Sequence, residues 1–305
     1  MATRVYWAIQ ALGINSNGGD DTVGSADFVS GVQSVGLTTT FNLEQVFQLG
    51  QLSLYHDVEE VPDIEVTVER VMDGQDLLYT RAFGEGTISS NQNSRAGVYF
   101  NVYSDDNNEV GDGNPEAGVY CSGMYVSSAS FTFPTDGNLT ESITLVGNHA
   151  VWSSSGQLNA APTTPQAGSV KRRQHVTNTS TIISNLASDI GASAKITNMT
   201  VSVDFGREQI NILGQKLPYH RYVTYPVEVT CEVEVLAQGS ANVTAYPEQD
   251  NVAVRTISLS AGGHTFNLGD ANKLTTYTYG GGSTGGENAT ITYSYRNFND
   301  LTVTS

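Results

Sequence analysis

The sequence predicts an all-β protein made of two tandem copies of one domain, each a β-sandwich or partial barrel. Three observations carry this reading: an internal repeat, alternating apolar and polar residues within it, and a composition suited to strands and turns.

The repeat is the strongest of the three. EQVFQLGQLSLYHDVEEVPDIEVTVE begins at Glu44 and EQINILGQKLPYHRYVTYPVEVTCEVE begins at Glu208. At the spacing set by those two glutamates, Gln45, Leu49, Gly50, Gln51, Tyr55, His56 and Pro62 coincide with Gln209, Leu213, Gly214, Gln215, Tyr219, His220 and Pro226. Deleting one residue near Asp63 then aligns IEVTVE (64–69) with VEVTCE (227–232). Upstream, Val35, Leu37 and Phe41 fall on Met199, Val201 and Phe205. Shared composition does not generate such ordered identity, so the chain reads as a duplication, with domains over 1–160 and 161–305. The expected linker is 153–175, rich in Ala, Pro, Gly and Ser.

Within each copy the alternation marks half-buried strands. Val227, Val229, Cys231, Val233 and Val235 take one face, and Glu228, Thr230, Glu232 and Glu234 the other. The first copy repeats this with Ile64, Val66 and Val68 against Glu65, Thr67 and Glu69. Shorter segments at 125–133, 253–259 and 289–295 carry the same signal, and antiparallel sheets follow from the pattern. Residues 50–62 and 214–226 lack clean alternation and carry Tyr, His and Leu, which predicts two matching arms projecting between strands. The 84–122 region reads as long loops. A short helix is expected over 179–192, with Ile182, Ile183, Leu186 and Ile190 in a stripe and Gly191 ending it.

Composition excludes several functions. Fourteen Lys and Arg against 31 Asp and Glu give a net charge of −17, which repels nucleic-acid phosphates. No stretch of about 18 apolar residues is present to span a membrane, and the first residues lack the apolar run of a signal peptide. Synthesis in a cytoplasm is the expectation. Two cysteines do not make a disulfide scaffold. Cys121 and Cys231 lie at non-equivalent positions of the two copies, which predicts that they are not bonded to each other.

Candidate chemistry is sparse. HDVEE (56–60) offers metal-ligand types, yet its second copy reads HRYVT and keeps only His220. DDNNEVGDGNPE (105–116) places oxygens at alternating positions, but Gly111 comes one place late for a calcium loop. The glycine clusters lack the G-K-[ST] of a phosphate cradle. Lys171, Arg172 and Arg173 form the one concentrated basic run. No cofactor, metal or catalytic residue is implied.

Over DFGREQINILGQKLPYHRYVTYPVEVTCEVEV (204–235) and LGDANKLTTYTYGGGSTGGENATITYSYRNF (268–298) the chain resembles the tail tube proteins of long-tailed bacteriophages. The resemblance reaches the first copy through the duplication. It implies a non-enzymatic virion protein whose β domains join into rings, and whose rings stack head to tail into a hollow passage for DNA. The arms at Tyr55, His56, Pro62, Tyr219, His220 and Pro226 are then the expected contacts between rings or subunits. Glu65, Glu69, Glu228 and Glu232 are candidates to line the channel, where they would keep passing DNA from sticking. Most members of the family contribute one domain per subunit and six subunits per ring. Two domains per chain imply three chains in a pseudo-sixfold ring, assembled in the bacterial host cytoplasm, with itself and other phage tail proteins as partners and no membrane. Two alternatives stay open. One is another tail or capsid part, such as an adaptor, terminator or decoration protein. The other is a carbohydrate-binding adhesin using Trp7, Trp152 and the tyrosines.

Overall fold

A computed structural model describes residues 5, 10–15, 27–84, 86–88, 94–103, 115–153, 169–237, 252–280 and 288–304. Most of the 105–116 segment, residues 154–168 of the expected linker, and Trp7 lie outside this set.

The all-β expectation holds. The chain opens with β1 (Gln10–Asn15), β2 (Asp27–Phe28) and β3 (Val32–Thr40). A hairpin of β4 (Leu43–Phe47) and β5 (Leu54–Glu59) follows, and β6 (Asp63–Val71) returns beside β3. Helix α1 (Leu78–Phe83) leads to β7 (Ala96–Val102), β8 (Ala117–Pro134), β9 (Thr140–Gly147) and β10 (His149–Ser153). Helices α2 (Thr179–Asn185) and α3 (Ala187–Ile190) precede β11 (Ile196–Asp204) and a second hairpin, β12 (Glu208–Ile210) with β13 (His220–Tyr222). Then come β14 (Glu228–Leu236), β15 (Val254–Arg255), β16 (Ser258–Ala261), β17 (His264–Asn267), β18 (Asn272–Gly280), β19 (Thr290–Phe298) and β20 (Thr302–Thr304).

The strand order repeats itself. One antiparallel path runs β3-β6-β9-β8-β11-β14-β19-β18. Its first four strands form one unit and its last four repeat the same connectivity. In each unit the first strand pairs with the strand after the hairpin, which pairs with the last strand, which pairs with the third. Equivalent residues meet equivalent partners: Glu69 faces Ser142, and Glu232 faces Ser294. The units are joined edge to edge where β8 pairs with β11, with Phe131 opposite Val201 and Ser130 opposite Ser202.

Pairing corrects the alignment upstream of the arms. Val35 faces Val68 and Val201 faces Cys231, so Val35 corresponds to Val201 and Leu37 to Val203, two residues from the sequence match. The first copy carries extra chain between its strand and its arm. Phe41, matched by sequence to Phe205, is therefore at an exposed arm root (73%), whereas Phe205 is fully buried.

The 84–122 region also differs from the expected loops, because it contains β7 and the start of β8. β8 is 18 residues long, not short. Its first half pairs with β7 and β10 and its second half with β9 and β11, and it turns at Gly123, whose φ is 62°. The expected 179–192 helix forms as α2 and α3, with Ile182, Leu186 and Ile190 buried. Gly191 ends it with a φ of 87°.

The core lies on the inner face of the long sheet, covered by the helices and by the small β16-β17-β20 sheet. Phe266 of β17 packs on Phe131 and Phe133 at 4.8 and 5.2 Å. Tyr79 and Phe83 of α1 reach Phe205 of the second unit, with Phe83 4.9 Å away, so aromatic packing crosses the junction between units. Within this core, Arg70 and Glu141 form a fully buried ion pair at 3.0 Å. Glu141 also accepts the Leu78 and Tyr79 backbone N–H groups, fixing the start of α1, and Arg70 donates to the Gln75 and Asp76 carbonyls. Burial pushes the Glu141 carboxyl up, and the guanidinium and backbone donors oppose that shift. In the second unit the equivalent positions are Val233 and Tyr293.

Candidate assembly surfaces

The outer face of the long sheet is mostly hydroxyls and carboxylates, with Arg296 and Lys273 at its β19–β18 end. Directly paired residues of antiparallel strands share a face, and the rows can be followed across both units. One runs from Ser34 through Glu69, Ser142, Ser130 and Ser202 to Thr230. Another passes from Thr140 through Thr132, Thr200 and Glu232 to Ser294. Glu65, Glu69, Glu228 and Glu232 all sit exposed on this one face, at matching places in the two units. Arg296 approaches Glu228 at 3.8 Å, both half-exposed, a contact worth little in water.

The segments 50–62 and 214–226 form the tips and returning strands of two hairpins whose first strands, β4 and β12, lie upstream of the expected arms. Their tips carry the same Leu-Gly-Gln turn, in which Gly50 and Gly214 have φ of 90° and 86° with nothing near their α-carbons. Glycine is needed here for conformation rather than space. Leu49 and Leu213 stand fully exposed at the tips, and Tyr55 and Tyr219 are 63% and 60% exposed. Pro62 and Pro226 lie at the arm roots, just before β6 and β14.

The arms differ at their bases. The second is seated on the first unit. His220 Nδ1 lies 3.0 Å from the Tyr125 hydroxyl with the rings edge-on. The Arg207 guanidinium lies over Tyr125 at 5.3 Å and donates to the Val126 carbonyl. Arg221 donates to Asp63 (2.5 Å), Asn148 (3.0 Å) and Gln209 (2.9 Å). Burial would raise the Asp63 carboxyl, but hydrogen bonds from Asn42, Arg221 and Asn148 and the Arg221 charge hold it below the usual aspartate range. Arg221 thus clamps the second arm to the start of the first unit's β6.

The first arm has no such seat among the described residues. All of β5 is exposed, and so are Leu43 (58%) and Phe47 (64%) of β4. His56 and the Asp57, Glu59 and Glu60 carboxylates are exposed too. Among the described residues no three His, Cys, Asp or Glu side chains gather as a metal site, and no helix is long and apolar enough to cross a membrane.

The two ends of the eight-strand path are open among the described residues. β3 pairs only with β6, and β18 is covered on its outer edge only at Asn272–Lys273 by β15. Apolar side chains at these ends are exposed where their repeat equivalents are buried. Tyr277 and Tyr279 are 39% and 51% exposed, while Phe131 and Phe133 on the equivalent β8 are buried.

Cys121 and Cys231 are free and buried, as the non-bonded expectation required. Burial pushes both thiols up to about 12. Sequence reasoning missed Arg221, Asp63 and Asn148. The signal was available, since Arg221 replaces Asp57 within otherwise matched arms.

No family model and no curated protein matches the chain. Among solved structures it is similar to a chain of the anti-feeding prophage baseplate, determined by cryo-EM with 6-fold symmetrisation. The match has 12% identity and a TM-score of 0.38 over 50% of this chain and 98% of that one.

Proposed function

We propose that the chain is a structural, non-enzymatic subunit of a phage tail that closes into rings stacked as the tail tube. One observation carries the reading: two equivalent four-strand units already joined edge to edge, with both outer edges of the pair open among the described residues. An open edge exposing apolar side chains is a template for further pairing. Closed rotational assembly then leaves no edge unpaired. Three chains, each with eight such strands, supply two dozen. At roughly 4.8 Å between strands these close a barrel about 37 Å across, wide enough for a DNA duplex.

On this reading the hydroxyl and carboxylate face lines the channel, where Glu65, Glu69, Glu228 and Glu232 repel the phosphates of passing DNA. The opposite, apolar face is already spent on the core. The leucine-tipped arms reach the neighbouring ring, and other tail proteins cap the two ends of the tube.

Electron microscopy of concentrated purified protein tests this. Tubes with threefold rings of pseudo-sixfold appearance are the expected result. Six complete chains per ring would overturn the stoichiometry, single unstacked rings would point to an adaptor or terminator, and monomers at all concentrations would overturn self-assembly.

A further inference from the structure

We propose that the open β3 edge and the exposed first arm receive the β18 end of a second copy of this chain, in the register of the internal β8–β11 junction but without its arginine clamp. The proposal rests on the reading of the chain as a self-assembling subunit and specifies how two copies meet.

The chain holds one finished example of the junction. β3 is the repeat of β11, with Val35 in the place of Val201. β18 is the repeat of β8, because Phe131 faces Glu141 and Tyr277 faces Tyr293, its counterpart. Carrying the internal register across sets Tyr277 opposite Val35, Thr278 opposite Ser34, and Thr276 opposite Gly36. The side chains agree with an absent neighbour. Val201 is fully buried and Val35 only partly; Phe131 is fully buried and Tyr277 39% exposed. The same positions are covered where the junction is made and uncovered where it is not.

The arms carry the difference between the junctions. By the arm alignment, Asp57 stands where Arg221 does: Gln45 pairs with Asp57, and Gln209 with Arg221. On the β18 side Asp300 takes the place of Asn148, each following the residue that closes its last strand onto Ile64 or Val227, and Pro226 takes the place of Asp63. Inside the chain Arg221 bonds Asp63 and Asn148. Between chains the same geometry brings the Asp57 carboxylate toward the neighbour's Asp300. Like charges there make this the weaker junction and the one that salt strengthens. Chains therefore stay separate when dilute, although each is internally closed.

Cysteine pairs read the register. Ser34→Cys with Thr278→Cys places two thiols directly opposite, within reach of a disulfide, whereas Ser34→Cys with Thr276→Cys displaces them diagonally. The native thiols are buried and do not compete. Under mild oxidation the first pair should give covalent closed oligomers at severalfold higher yield than the second. Equal yields in protein that still forms rings or tubes would overturn the register and leave self-assembly standing. Absence of assembly under all conditions overturns both. Asp57→Arg, which copies the clamp into the first arm, should lower the assembly concentration severalfold, and Asp57→Asn should lower it less. Unchanged or weakened assembly in both would overturn the missing-clamp part.

Discussion

Glu141→Gln isolates the buried ion pair of the first unit. Both side chains of the pair are fully buried, and Glu141 accepts three hydrogen bonds, from Arg70 Nε at 3.0 Å and from the Leu78 and Tyr79 N–H groups at 2.9 and 2.8 Å. Glutamine keeps the shape but removes the countercharge, and its amide turns a donor toward another donor. Arg70 is then a buried cation held only by neutral acceptors, the amide oxygen and the Gln75 and Asp76 carbonyls. Removing one member of such a pair costs about 3–5 kcal/mol, a large part of a typical stability of about 5–15 kcal/mol. The loss also loosens α1, whose Tyr79 and Phe83 bridge to Phe205 across the junction. Urea unfolding of dilute protein should show a lower midpoint with an unchanged slope. The double variant Arg70→Met/Glu141→Leu leaves no buried charge and should cost less than the single one. A Glu141→Gln cost below about 1 kcal/mol, or a double variant worse than the single, would refute this account of how the pair acts.

Four further outcomes follow. Replacing 48–53 or 212–217 with a two-residue turn should leave a folded protein that no longer forms long tubes, checked by circular dichroism and microscopy; normal tubes from both variants would remove the arms from the contact. Changing Glu65, Glu69, Glu228 and Glu232 to Lys should preserve folding and create salt-sensitive DNA binding in dilute, unassembled protein, measured by filter retention, that assembly into tubes hides; undiminished binding by assembled tubes would move that face to the outside. Asp63 has a depressed value in the folded chain, so its contribution is fully present above the ordinary aspartate value of about 3.9 and is lost as pH falls through the folded value. Stability should thus fall less between pH 6 and 2.5 in Asp63→Asn than in wild type, and identical profiles would dismiss the clamp. Finally, Cys121 and Cys231 should resist alkylation until the protein unfolds, and rapid labelling of either in native protein would contradict the burial described.

Much of the fold was legible in the sequence because strand periodicity is a local property. Val229, Cys231 and Val233 alternate with Glu228, Thr230 and Glu232 whatever surrounds them, and that pattern fixes which face meets the core. The matched arm segments and the α2–α3 stripe were equally local. The polar face was visible one strand at a time, but its continuity across eight strands was not, since register depends on partners far apart in the chain.

Tertiary structure alone decided the rest. Val35 and Val201 read alike in the sequence, yet one is half-exposed and the other buried, because among the described residues only β11 has a β8 beside it. Arg70 and Glu141 are separated by most of the first unit, and nothing local to either announces a fully buried pair. The Arg221 clamp spans an even longer stretch, from Asp63 to the second arm. Local pattern was enough for the all-β class, the repeated segments and the strand faces, because alternation and repetition are read residue by residue. Which edges were closed, which stayed open, and where a charge found its partner depended on strand pairing over long separations, where hydrogen-bond register and burial, not local preference, set the energy.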